Sequence, residues 1–394
     1  MQPSRPVFFS HGFRPFFLFA ALWALLSMML WILMLLDFVT LPIAVDPISW
    51  HAHEALFGYL SAVLAGFLLT AVPNWTDRPP LDARILLLLF LLWILGRVAV
   101  LFGSFLPTVW IGVFDLSFLL MLALLILREI GAARNWRNLP VVAIVGVLLA
   151  GNAVFHIEAA NDACPVSGYG TRIGVGAAVM MITLIGGRIV PAFTGNWLKQ
   201  HNKIAIPASF GWFDMLALAT TLIGLVVWIG SPASAVTGVL LLVAGFIQTV
   251  RLIRWRGFAA ASEALVWILH AGYAFVPLGM LAIGFVLLQQ KHQALASVQH
   301  LWMAGAIGVM TLAVMTRATL GHTGRQLTAN SATIIVYLLV IVSVLMRSAV
   351  GMAPDHSIVL WTASSFLWCA GFAIFLLTYG PMLTQRSQNT GAMQ

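Results

Sequence analysis

Twelve apolar runs divide this chain, and only short polar stretches lie between them. They fall near residues 16–36, 53–73, 83–103, 107–127, 139–157, 170–191, 209–229, 234–252, 264–288, 298–318, 332–351 and 357–380. About 20 consecutive apolar residues make a helix long enough to cross the roughly 30 Å hydrocarbon layer of a bilayer. A chain divided in this way is expected to be an all-α integral membrane protein of about 12 transmembrane helices, a single polytopic domain over residues 1–394. Composition agrees, with 61% of residues hydrophobic and 8% charged, far from the averages of soluble domains. The longest connection, residues 188–208, is too short to hold a water-soluble domain.

Lysine and arginine test the helix count, because cytoplasmic loops carry the excess of them. Of the 20, sixteen fall on the side of both termini and four, Arg97, Arg172, Lys291 and Arg347, on the other. Both termini are therefore expected in the cytoplasm. The net charge of +8 then describes a basic inner surface facing anionic lipid, and no nucleic-acid partner is needed to explain it. The first run is long enough to span and reads as a helix rather than a cleaved signal peptide. The two cysteines, Cys164 in an outer loop and Cys369 midway through the last segment, offer no disulfide, no iron–sulfur cluster and no C-x-x-C-H attachment. Any haem is then non-covalent, most simply b-type.

Three of the segments that run inward, the second, sixth and tenth, end in related polar clusters. These are Thr70 to Thr76 (TAVPNWT), Gly186 to Trp197 (GGRIVPAFTGNW) and Thr316 to Arg325 (TRATLGHTGR). A recurrence every fourth segment suggests a weak threefold repeat and a pseudo-threefold arrangement of four-helix units. The plainer reading is that Pro, Asn and Gly end helices anywhere.

His51, His53 and Glu54 open the second segment and His300 opens the tenth. Both lie at the outer face, where two imidazoles at one depth could close on haem iron or a copper ion. His53 and His300 are the candidate axial pair, each followed five residues later by a glycine, Gly58 and Gly305. Histidines at helix ends that hydrogen-bond headgroups are the simpler alternative. His51 and His53 point about 200° apart if both are helical. Either His51 sits in an extended lead-in, so that the H-x-H pair bends round copper, or it serves another site. Glu54 has three roles open to it: holding the ring nitrogen of a ligating histidine, donating a proton, or capping the helix. His270 and His322 lie toward the inner face and, with His11, are the candidates for a second metal there. His156 and His356 are further outer-face histidines. Arg97 and Arg347, near the outer ends of the third and eleventh segments, could pair with haem propionates, with snorkelling to the interface as the alternative.

Taken in order along the chain, the motifs resemble those of the NnrS family of membrane proteins associated with the bacterial response to nitric oxide. The matching segments are GFRPFF at 12–17, WHAHE at 50–54, GFLLTAVPNWT at 66–76, RNWRNL at 134–139, GGRIVPAFTGN at 186–196, His270 to Tyr273, and VMTRATLGHTGR at 314–325. The family pattern usually continues WHxHE with Met, where this chain has Ala55. The resemblance implies haem b and copper, a role in nitrosative stress with nitric oxide as ligand or substrate, and a bacterial inner membrane as location. A weaker resemblance links the chain to the catalytic subunit of haem-copper oxidases, whose second and tenth helices supply both axial histidines of a low-spin haem. The sixth segment here carries no histidine and Trp302 stands where a further ligand belongs, which argues against oxygen reduction at a conventional binuclear centre. Two functions follow as expectations: a haem- and copper-bearing protein that binds or turns over nitric oxide, with quinol as the candidate electron donor, or a transporter or metal-handling protein without redox turnover.

Overall fold

A computed structural model of the chain describes residues 7–161, 163–204 and 206–387. Arg5, one of the sixteen basic residues counted on the inner side, lies outside them. In a lipid layer no water is available to the peptide groups, so each span must satisfy its own hydrogen bonds. The described residues accordingly form helices and no strand, and twelve of the helices are long and apolar enough to cross a membrane. The chain is a multi-pass membrane protein, as the apolar runs required. The spans are α1 (Phe13–Leu35), α2 (Pro47–Thr76), α3 (Ala83–Leu101), α4 (Thr108–Ala132), α5 (Trp136–Ala160), α6 (Tyr169–Gln200), α7 (Trp212–Gly230), α8 (Ala235–Ile253), α9 (Ala264–Leu288), α10 (His292–His322), α11 (Ser331–Met352) and α12 (Pro354–Thr384).

Helix ends are set by local chemistry that hydropathy does not register. Helix α2 starts at Pro47, six residues before its apolar run. Asp46 caps it by accepting from the backbone N–H of Ile48 and Ser49 at 3.0 and 2.9 Å, and Pro47 occupies the first turn, where no N–H is needed. Asp82, Ser234 and Asn330 cap α3, α8 and α11 in the same manner. At the other end, α2 stops where Asp77 turns left-handed with φ 52°.

Two spans carry a stretch of π-helix within the α-helix. Residues Glu54–Tyr59 of α2 and Leu301–Val309 of α10 are wound as π-helix. Such widened turns occur mostly at functional sites. One begins directly after His53 and the other directly after His300.

Contacts divide the chain into two compact units. The first comprises Met1–Gly174, Met315–Leu327 and Phe372–Gln394, and the second Val175–Val314 and Thr328–Gly371. In the first unit α2 is the central element, 78% buried over its span against 33% for α1 and α5. The close approach of α1 to α2 lets Phe16 and Phe17 pack against Gly66. Where α1 ends, α2 begins, α3 ends and α4 begins, Trp31, Met34, Trp50, Val100 and Ile111 form a buried apolar cluster.

In the second unit α8 and α9 come nearly backbone to backbone. A Cβ on Gly284 would lie 2.7 Å from the Gly238 carbonyl oxygen, so only glycine permits the packing. This unit encloses its own polar set: Arg251 donates through Nε to Asp214 at 2.8 Å and through Nη1 to the Thr183 carbonyl and the Tyr273 hydroxyl, both at 3.0 Å. Tyr273 donates in turn to Gln248 Oε1 at 2.7 Å. Arg251, Asp214, Tyr273 and Gln248 are all buried.

Candidate metal centre

Four helices of the first unit bring polar side chains to one depth. His53 is the seventh residue of α2 and Asp115 the eighth of α4, while Arg97, Asn152 and His156 lie within the last two to three turns of α3 and α5, which end where α2 and α4 begin. At 1.5 Å per residue, alternating helix direction thus places all five within a narrow layer. The apolar cluster lies one turn nearer the same helix ends, with Trp50 three residues before His53, Ile111 four before Asp115 and Val100 three after Arg97. It roofs the polar layer on that side.

Within the layer His53 Nδ1 lies 2.9 Å from Glu54 Oε1. Its Nε2 lies 3.0 Å from Asp115 Oδ2 and 3.1 Å from Asn152 Oδ1. His156 Nε2 reaches the same Asp115 oxygen at 3.0 Å, and Asn152 Nδ2 donates to it at 2.7 Å. Arg97 joins the two acids, donating from Nη1 to both Glu54 oxygens at 2.6 Å and from Nη2 to Asp115 Oδ1. Trp23 Nε1 donates to Glu54 Oε2 at 2.6 Å. His53 and Glu54 are fully buried, Asp115 is 2% exposed and Arg97 4%.

The π turn serves this arrangement. Leu60 N–H bonds the Ala55 carbonyl, five residues back, so the helix widens where Glu54 and Arg97 must fit beside its axis. Gly58 sits against them: a Cβ there would lie 2.5 Å from Arg97 Nη1 and 2.7 Å from Glu54 Oε2. The Gly58 carbonyl accepts from Trp93 Nε1 at 3.0 Å, which ties α2 to α3.

His53, Asp115 and His156 offer three ligand atoms within 4.8 Å of one another. Two imidazole nitrogens and a carboxylate oxygen, with the Asn152 amide oxygen adjacent, suit a first-row transition metal ion. Glu54 on the far nitrogen of His53 is the carboxylate that characteristically fixes the tautomer of a ligating histidine. Arg97 faces both carboxylates, and a cation bound through His53 Nε2 would take the place of the proton which that nitrogen otherwise offers Asp115. Protein oxygens crowd both nitrogens of His53, so its surroundings fit a single ion rather than the edge of a macrocycle.

Of the residues singled out in the sequence, the structure brings together His53, Glu54 and Arg97. His51 is helical like His53 and so points elsewhere, its ring stacked on Trp31 at 4.3 Å; the extended lead-in does not form, because Asp46 and Pro47 start the helix earlier. In the second unit, His300 Nδ1 donates to the Ala296 carbonyl at 2.7 Å, Arg347 lies over the Trp361 ring at 5.8 Å, and His270 Nε2 lies 2.8 Å from Thr194 Oγ1. His322, in the first unit, packs at 5.5 Å from the Phe13 ring. Asp115 and Asn152 escaped the sequence reading, and His156 entered it only as an outer-face histidine. The available signal was an acid and an amide deep within otherwise apolar runs, since such groups inside a span are rare and functional.

No curated protein matches the chain. Residues 7–386 match the model of one family, NnrS, described as NnrS protein.

Proposed function

We propose, because this chain belongs to the NnrS family, that it is an inner-membrane protein of the bacterial nitric oxide response that binds nitric oxide at a copper ion held by His53, Asp115 and His156. The observation that carries the reading is the convergence of those three ligand atoms in a buried layer, with Glu54 behind His53. Copper held there by His53, Asp115 and His156 would supply one-electron redox chemistry. The protein side chains do the rest. Glu54, itself held by Arg97 and Trp23, keeps the Nδ1 proton on His53 and turns Nε2 toward the ion. Asn152 orients the Asp115 carboxylate. Trp31, Trp50 and Ile111 exclude water, yet an apolar gas dissolved in the bilayer crosses such a roof without a polar channel.

Haem b is the second cofactor in this reading, with His300 as iron ligand and Arg347 as propionate partner, and quinol as electron donor. Support for His300 is the Ala296 carbonyl on its Nδ1, the orientation a ligating histidine needs, and the π turn that follows it. Ionisable side chains inside a span are also what an ion path requires, and they favour a metal-handling protein as the second reading.

Metal analysis of protein purified from copper- and iron-replete cells tests both. Stoichiometric copper that is lost in His156→Gln, with a nitric-oxide-induced change in the electron paramagnetic resonance spectrum, supports the gas-binding reading. Replete protein with no metal at the cluster sinks it. Copper flux into liposomes without any spectral response to nitric oxide favours metal handling. Reduced-minus-oxidised b-type bands that persist in His156→Gln and vanish in His300→Ala support the haem assignment, and a spectrum without bands removes it.

A further inference from the structure

The first unit holds a second polar cluster, at the ends of its helices that carry most of the basic residues, and the metal reading makes no use of it. Two of the sequence motifs meet there, HGFRPFF at 11–17 and TRATLGHTGR at 316–325. The Phe13 ring lies between two imidazoles, 6.0 Å from His11 and 5.5 Å from His322. Arg14 is anchored beside them: Nη1 donates to the carbonyls of Leu383 and Gln385 at 3.0 and 2.6 Å, and Nη2 to Ser387 Oγ at 3.0 Å. Ser387 Oγ in turn donates to the His322 carbonyl at 3.4 Å.

Arg325 lies within electrostatic reach of Arg14, and His11 within that of His322. Among the described residues none of these four groups pairs with a carboxylate. Arg14 is 2% exposed and its Nε has no partner; Arg325 Nη1 is likewise buried without one. The N-terminus of α1, which starts at Phe13, adds the positive end of its dipole. Two guanidiniums, unpartnered donors and a helix N-terminus together call for negative charge, and they repel the metal cation that a histidine pair alone would invite.

We propose that His11, Arg14, His322 and Arg325 form a binding site for a phosphate-bearing anion at the inner membrane face. A planar guanidinium matches phosphate oxygens, and both a phospholipid headgroup and free phosphate carry that chemistry. The test uses the full-length protein in neutral detergent, with thermal unfolding measured against added phosphatidylglycerol, inorganic phosphate, or diacylglycerol as the phosphate-free control. A ligand that binds only the folded state raises the melting temperature with its concentration. Stabilisation by phosphatidylglycerol alone identifies a lipid headgroup, and stabilisation by inorganic phosphate a free anion; either supports the site. Arg325→Gln and His322→Gln are expected to weaken the response at least tenfold in ligand concentration, and Arg325→Lys to restore part of it. Unchanged helical circular dichroism shows that the variants are folded. The proposal is overturned if diacylglycerol stabilises equally, if Arg325→Gln responds like the parent, or if copper or zinc stabilises through His322 where phosphate does not.

Discussion

Glu54 is the hinge of the metal layer, because three side chains of different chemistry hold its two oxygens: His53, Arg97 and Trp23. Trp23→Phe keeps an aromatic side chain, though a smaller one, and deletes the indole N–H, leaving a buried carboxylate oxygen with one donor fewer, at a cost of about 1–3 kcal/mol for the lost bond. A ligating histidine whose partner loses its orientation binds metal roughly 10–100-fold more weakly, so titration with copper in competition with a chelator should show a loss of that order. Asp115→Asn goes further. It replaces the oxygen shared by His53, His156 and Asn152 with an amide and takes away one of the two negative charges that face Arg97; breaking a buried pair from one side costs about 3–5 kcal/mol. The expected outcome is a lowered melting temperature together with loss of the metal, and a variant that retains full copper would remove Asp115 from the ligand set. Gly58→Ala probes the same layer sterically. Its methyl group would collide with Arg97 and Glu54, and overpacking typically costs about 1–3 kcal/mol, read as a shift in thermal unfolding with weakened metal binding.

At the scale of the element, the π turn of α2 decides where His53 points. Each residue of an α-helix advances the side chain by about 100°. Deleting Ala55 would remove the extra residue that the widened turn accommodates, and with it the room that the turn opens beside the helix axis for Glu54 and Arg97. Such a variant should keep its helical circular dichroism and lose its metal; retention of metal would show that the turn is incidental. The capped start of α2 belongs to the same account. Asp46 and Pro47 add nearly two turns ahead of the apolar run, which puts His53 within the span rather than at its tip. Cap residues signal such starts in sequence, but hydropathy averages over them, and the π turn leaves no mark in composition that separates it from α-helix.

For the whole molecule, the excess of basic residues on one side makes a prediction about orientation that the native cysteines can test. Cys164 is exposed in the connection between α5 and α6, and Cys369 lies half-buried within α12. In a Cys369→Ser background a membrane-impermeant thiol reagent is expected to label Cys164 in intact spheroplasts; labelling only after lysis would reverse the topology.

Much of this molecule is written locally. A run of about 20 apolar residues must become a helix in lipid whatever its neighbours, because the peptide groups have no other partner. The twelve spans, the helical class and the family motifs were therefore legible in sequence, and so were His53, Glu54 and Arg97 as polar groups where lipid makes them costly. The ligand set was not, because it joins α2, α4 and α5 across up to 103 residues of chain, from His53 to His156. Helix-to-helix distance and the rotation of each helix about its axis are decided by packing, by glycine contacts and by one widened turn. Depth in the membrane follows from counting residues along a span, whereas azimuth does not. Tertiary structure alone turned Asp115 and His156 toward His53, and it alone brought His11 and His322, about 300 residues apart in sequence, to the Phe13 ring.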